Sequence, residues 1–247
     1  MNLFHCLLPP NYPKGQAHPN TISNILKWKS INEDVEINQH VFSYEECCDY
    51  IRTNFDEELL TYFINQPFGH FKSDLWRLCV LYNEGGVYAD VDQEILANFS
   101  SFLDVDKYDF CGVSNMDRYN LSNGFIYSKK GNEIIEKNIE LTYQKYFEGL
   151  RNGRFTDVEF IGGCYIMGEV IAEMSKDKIM PIGVKDISNS KCLFLQERGD
   201  RELEKTSKQL FWNSFKVYAG DETPVMNSRY ESYHIDRTIS SEFVEFK

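Results

Sequence analysis

No stretch of this chain reaches the roughly 18 consecutive apolar residues of a membrane-spanning helix, so no transmembrane segment is expected. The opening "MNLFHCLLPP" lacks a basic start, and His5 and Pro9 interrupt its apolar run, so it does not read as a secretory leader. No CxxC pair occurs among the seven cysteines; their number is odd, and Cys47 and Cys48 are adjacent. That pattern argues against a disulfide framework, and reduced thiols in a cytoplasmic compartment are the expectation. The sequons at Asn98 and Asn120 then read as chance matches. Basic residues are also scarce: 26 Lys and Arg against 38 Asp and Glu leave a net charge of −12. That excludes a basic nucleic-acid contact surface and a polybasic membrane anchor. An anionic ligand would have to be held through a metal ion or a few local basic groups.

What is present is core-forming material. The 247 residues are 42% hydrophobic and 15% aromatic, without a repeat or a low-complexity linker, and suit one large α/β domain spanning 1–247. "NLFHCLLP" reads as a buried first strand ended by Pro9 and Pro10. "TISNILKWKSIN" has helical spacing, "EINQHVF" is a second strand, and "SYEECCDYIRTNF" is a helix opened by a capping box of Ser43 and Glu46. In "SDLWRLCVLYNEGG", Leu75, Leu78, Cys79 and Tyr82 share one helix face; Ser73 is the expected cap, and Gly85 or Gly86 the stop. "VYADV", "YDFCGVS", "GFIYSK", "KIMPIG" and "KCLFLQ" read as strands, and "NEIIEKNIELTYQKYFEGL" and "GGCYIMGEVIAEMSK" as helices. The alternation predicts a mostly parallel sheet with helices on both faces, its ligands bound beyond the carboxyl ends of the strands.

One of those ends carries Asp90 and Asp92, in "GGVYADVDQE". If the strand continued through them, both side chains would point to one side, and two like charges need compensation. A Mg or Mn ion, which takes oxygen ligands and shares them with phosphates, is the economical answer. A surface turn of solvated acids is the plain alternative. An EF-hand is excluded, because no glycine follows Glu94 in the required place. Asp74 and Arg77 lie three apart at the start of the preceding helix, on one face, and a simple intrahelical pair is the alternative there. Arg77 suits phosphate or sugar oxygens, and Asp74 suits sugar hydroxyls.

Together Ser73, Asp74, Arg77, Gly85, Gly86, Tyr88, Asp90 and Asp92, in "SDLWRLCVLYNEGGVYADVD", resemble the signature of DxD glycosyltransferases with the Rossmann-like GT-A fold. The resemblance is strongest to the glycosyltransferase family 32 group. It covers about twenty residues. Trp28 and "IGGCYIM" also resemble features of that group, whereas "YHIDRTISS" offers His234 and Ser240 without the tryptophan that often follows.

The resemblance implies a metal-dependent enzyme that moves a sugar, with retention, from a UDP- or GDP-linked donor to a glycan or other hydroxyl acceptor. It implies Asp90, Asp92 and His234 as ligands of Mn2+ (or Mg2+). Asp74, Arg77, Tyr88 and Asp90 would bind donor, with Asp74, Arg77 and Asp90 serving the reaction. Apart from the resemblance, Asn123 in "LSNGF" is a further candidate for donor binding near the sugar. Residues from about 221 to 247 would close over the donor. The alternatives are a catalytically inactive sugar- or nucleotide-binding protein on this fold and a metal-dependent phosphohydrolase. The second is disfavoured because no apolar strand carries an Asp followed by Thr or Val and Gly.

Overall fold

A computed structural model describes residues 1–8, 16–17, 19–66, 68–115, 120–154, 162–176, 181–199, 215–219, 224–228 and 244–245. Its helices are α1 (Pro19–Ser30), α2 (Tyr44–Asn54), α3 (Glu57–Asn65), α4 (Gly69–Glu84), α5 (Glu133–Asn152) and α6 (Gly163–Ser175). The strands are β1 (Asn2–Leu7), β2 (Gln16–Ala17), β3 (Asn38–Ser43), β4 (Gly86–Ala89), β5 (Gln93–Ile95), β6 (Phe110–Asn115), β7 (Asn120–Ser128), β8 (Gly183–Ile187), β9 (Ser190–Gly199), β10 (Phe215–Tyr218), β11 (Pro224–Ser228) and β12 (Val244–Glu245).

The main sheet runs β3-β1-β4-β7-β6-β9-β10-β11-β5, with β8 beside β9, while β12 pairs with β2 apart from it. It is mixed rather than mostly parallel. The pairs β1–β3, β1–β4 and β6–β9 are parallel, and the other pairs of the main sheet are antiparallel. The reason lies in one short connection. Only residues 116–119 separate β6 from β7, and so short a link joins antiparallel strands. Inserted between β4 and β6, β7 leaves the carboxyl ends of β1, β3, β4, β6 and β9 at one edge, beside its own amino end.

Helices cover both faces, unequally. Phe4, Cys6, Tyr88 and Phe110 pack with the buried sides of α2 through α6. Leu3, Val87, Ala89 and Cys111 face the other way, against Trp28 of α1, Phe99 and Phe125. The alternation along β1, β4 and β6 is the strand period written as two cores.

Ser43 and Glu46 form the expected capping box, with Glu46 N–H donating to Ser43 Oγ at 3.3 Å and Ser43 N–H to Glu46 Oε2 at 2.8 Å. Helix α3 was not foreseen, although Asp56 caps it and Leu59, Leu60, Tyr62 and Phe63 are its buried side. Helix α4 begins at Gly69, one turn before the expected cap. Ser73 lies inside it, its hydroxyl donating to His70 O at 2.9 Å. Gly85 (φ 65°) stops α4, and a Cβ there would sit 2.6 Å from the Lys130 nitrogen. Gly86 (φ 112°) faces the Asn2 carbonyl equally closely.

That hairpin of helix and strand sets the site. From Arg77 to Gly85 the helix descends about 12 Å at about 1.5 Å per residue. From Gly86 to Asp90 the chain climbs back about 13 Å at about 3.3 Å per residue. Arg77 and Asp90 therefore end at the same level, thirteen residues apart in sequence.

Candidate active site

Arg77 is the hub. It is 2% exposed, and its Nε donates to Ser73 O at 2.9 Å. One terminal nitrogen reaches Asp90 Oδ2 at 3.4 Å and the Asn123 carbonyl; the other reaches Ser73 Oγ at 2.7 Å, Asp90 Oδ1 at 3.1 Å and Asp74 Oδ1 at 3.3 Å. Every donor of the fork is engaged within the protein. Burial opposes the charge, but Asp90, Tyr88 and Asp74 outweigh it and hold Arg77 protonated.

Below the guanidinium lies the Tyr88 ring, 4.4 Å from it. Tyr88 is 1% exposed, and burial keeps its phenol protonated. Its hydroxyl donates to Asp90 Oδ1 at 2.7 Å, so at the 3.4 Å contact with Cys6 the thiol is the donor. On the other face of the strand end, buried His5 meets the Ala89 carbonyl through Nδ1 at 2.8 Å and Gln39 Nε2 through Nε2 at 3.0 Å. A carbonyl only accepts, which assigns the proton to Nδ1. Burial pushes His5 down to about 4, so it is neutral.

Asp74 serves two elements. Its Oδ2 accepts from the Gly163 N–H at 2.9 Å, which caps the first turn of α6, and its Oδ1 accepts from Asn123 Nδ2 at 2.7 Å. The Cys164 thiol donates to Asn123 Oδ1 at 3.1 Å; burial raises that thiol to about 12, an unreactive value. A Cβ on Gly163 would lie 2.5 Å from Asn123 Nδ2 and 2.8 Å from Asp74 Cγ, so only glycine lets α6 approach.

The strand does not continue through the acids. It ends at Ala89; Asp90 N–H still donates to Gly124 O at 2.8 Å, and then the chain turns, with Gln93 N–H donating to Asp90 O at 3.0 Å. Asp92 is 8% exposed, and its carboxyl is raised well above the usual range by burial and by Asp90. Glu94 is paired with Lys27 of α1 at 2.9 Å. Asp74 and Asp90 pair with the one guanidinium, and Asp92 lies buried in the same turn as Asp90. The oxygen donors of Asp90 and Asp92 fit a hard divalent ion. Among the described residues no group of three or more His, Cys, Asp or Glu forms a site on its own.

The structure therefore brings together Asp74, Arg77, Tyr88, Asp90 and Asn123, with Asp92 two residues along the same turn. Arg77 pairs with Asp74 and Asp90, and Tyr88 donates to Asp90 from under the guanidinium. His234 lies outside the described residues, as does most of 221–247. Part of that segment is sheet: β11 runs beside β5, with Ser228 opposite Gln93 and Met226 fully buried. Sequence reasoning missed a role for His5 and for the α1 residues Asn24 and Lys27, which nothing local marked; Gly163 falls in the expected helix start "IGGCYIM".

Residues 19–109, which hold Asp74, Arg77, Tyr88, Asp90 and Asp92, match the family described as "Glycosyltransferase sugar-binding region containing DXD motif". No curated protein matches the chain. Among solved structures, the PaToxG glycosyltransferase is similar at 18% identity and a TM-score of 0.53, over 70% of this chain and 67% of that one. The catalytic domain of alpha-toxin from Clostridium novyi aligns at 10% identity and a TM-score of 0.42, over 74% of this chain and 64% of that one. This chain thus spans about two thirds of the length of these structures. The fold is of the GT-A type, on an α/β scaffold. The matched sugar-binding region, residues 19–109, lies on that scaffold and includes Asp90 and Asp92.

Proposed function

We propose that the chain transfers a sugar from a UDP- or GDP-linked donor to a glycan or other hydroxyl acceptor, with a divalent cation, Mn2+ or Mg2+, at Asp90 and Asp92. The observation that carries this reading is the gathering of the Asp90 and Asp92 oxygens at a carboxyl strand edge, with Arg77 already engaged by Asp74 and Asp90. When bound, the cation supplies Lewis-acid neutralisation of the departing diphosphate. Asp90 and Asp92 would hold it.

The chain's own residues set the geometry. Tyr88 and Arg77 fix the Asp90 carboxylate from below, leaving it the more exposed of the Arg77 partners. Asp74, Asn123 and the start of α6 form the adjoining wall. Carboxylates placed there favour positive charge developing at an anomeric carbon. Retention is proposed from the family resemblance. His234 is proposed as a further ligand: Ser228, the last residue of β11, pairs opposite Gln93, and six residues extend at most about 20 Å. Incubation with nucleotide sugars and Mn2+, with NMR of the released sugar, tests activity and anomeric outcome together. Phosphate release from simple phosphoesters without sugar transfer would replace this reading with hydrolysis.

A further inference from the structure

The turn that carries Asp92 is held from outside by one helix. The Asn24 side chain of α1 donates from Nδ2 to Val91 O at 2.7 Å and to Gln93 O at 2.9 Å, the carbonyls of the two residues flanking Asp92. Trp28 Nε1, one turn further along α1, donates to the same Gln93 carbonyl at 2.9 Å. The backbone dihedrals of Asp92 lie between two peptide planes. Asn24 holds the first through Val91 O, and the bond from Gln93 N–H to Asp90 O holds the second. Lys27, between the two donors, pairs with Glu94 at 2.9 Å.

A three-residue turn bearing two carboxylates repels itself and is short of regular partners. Without outside donors it would open, and Asp92 would turn toward water. The position of α1 is in turn tied to the strand ends: Gln39 of β3 donates to Ile25 O at 2.7 Å and also meets His5, which binds the Ala89 carbonyl. Nothing in the DxD signature marks Asn24, which lies 67 residues from Val91.

We infer that Asn24 is a positioning residue for cation binding, holding Asp92 in the orientation in which it and Asp90 share one ion. The inference rests on the proposed cation site and goes beyond it. Outer partners of metal ligands typically govern affinity by about 10- to 100-fold when removed.

The test uses the full chain and Mn2+ alone, with free Mn2+ followed by electron paramagnetic resonance. Asn24→Leu keeps the side-chain shape and removes both donors. Asn32→Leu is the control: Asn32 donates from Nδ2 to Trp28 O at 2.7 Å and accepts from the Phe99 N–H at 2.5 Å, so its loss loosens the end of α1 while both Asn24 hydrogen bonds to the turn stay in place. The expected result is Mn2+ affinity reduced about tenfold or more in Asn24→Leu and unchanged in Asn32→Leu, both measured well below their melting temperatures. If Asn24→Leu does not fold, Asn24→Ser, which cannot span both carbonyls, is read the same way. Wild-type affinity in the Asn24 variant, or equal weakening in both, overturns the inference. A wild-type chain that binds no Mn2+ overturns the cation site itself and this inference with it.

Discussion

The backbone N–H of Gly163 donates to the Asp74 carboxylate at 2.9 Å, so a side chain of α4 caps α6 and closes one wall of the site. The cap depends on close approach. Gly163→Ala should force the Asn123 and Asp74 side chains aside, lowering kcat/KM by about 100-fold or more and stability by about 1–3 kcal/mol. Gly153→Ala is the comparison. A Cβ there meets nothing within 4 Å, and the φ of 75° costs only about 1 kcal/mol of strain. Its steady-state kinetics should match wild type; equal losses in both would make the effect general rather than local.

Arg77→Lys should abolish most transfer and also destabilise the chain by about 3–5 kcal/mol, because a lysine cannot serve Asp74, Asp90, Ser73 and the Asn123 carbonyl at once. Chemical denaturation alongside turnover separates the two losses. An Arg77→Lys variant of unchanged stability would contradict the fully engaged fork.

Tyr88→Phe keeps the ring beneath Arg77 and removes the hydroxyl that donates to Asp90 at 2.7 Å. Turnover should fall about tenfold for a stability cost of about 1 kcal/mol. If the donor KM rises while kcat holds, Tyr88 contacts the donor after all.

His5 gives the fold a pH dependence. Burial lowers it from 6.5 to about 4, so between those values the unfolded chain binds a proton that the folded chain refuses. Stability is therefore lost as pH falls from 6.5 to about 4 and changes no further from this source below that. A difference of about 2.5 units corresponds to about 3 kcal/mol. Denaturation across that range should show the slope in wild type and lose it in His5→Gln; identical slopes would remove His5 as the cause.

Much of this was legible in the sequence because it was periodic or covalently close. The helix over Leu75 to Tyr82, the Gly85–Gly86 stop and the Asp74–Arg77 pair are local features, and they led to the right class. The sheet's mixed order was not legible, since a link of a few residues at 116–119 reverses β7 and no residue type announces it. The geometry of the two acids was not legible either. Read as a strand, Asp90 and Asp92 point to one side; the strand ends at Ala89, a hydrogen-bonded turn carries them, and Asp90 also pairs with Arg77. Burial of Arg77 and Tyr88 follows from α4 being covered nearly all round, which its one-face apolar pattern understated.

Strand β11 ends at Ser228, opposite Gln93. Amide exchange in 229–247 should slow when nucleotide sugar and Mn2+ are both present, and His234→Ala should raise the donor KM most at low Mn2+. Unchanged exchange and unchanged metal titration would leave the cation to Asp90, Asp92 and the diphosphate.

The most direct measurement is release of nucleoside diphosphate from a panel of UDP- and GDP-sugars, without acceptor, in wild type, Asp90→Ala and Asp92→Ala. At least one donor should be turned over by wild type with Mn2+, with release abolished by excess chelator, restored by added Mn2+, and reduced about 100-fold or more in both variants. Full turnover in excess chelator, or in the Asp92 variant, would contradict a cation held at this turn.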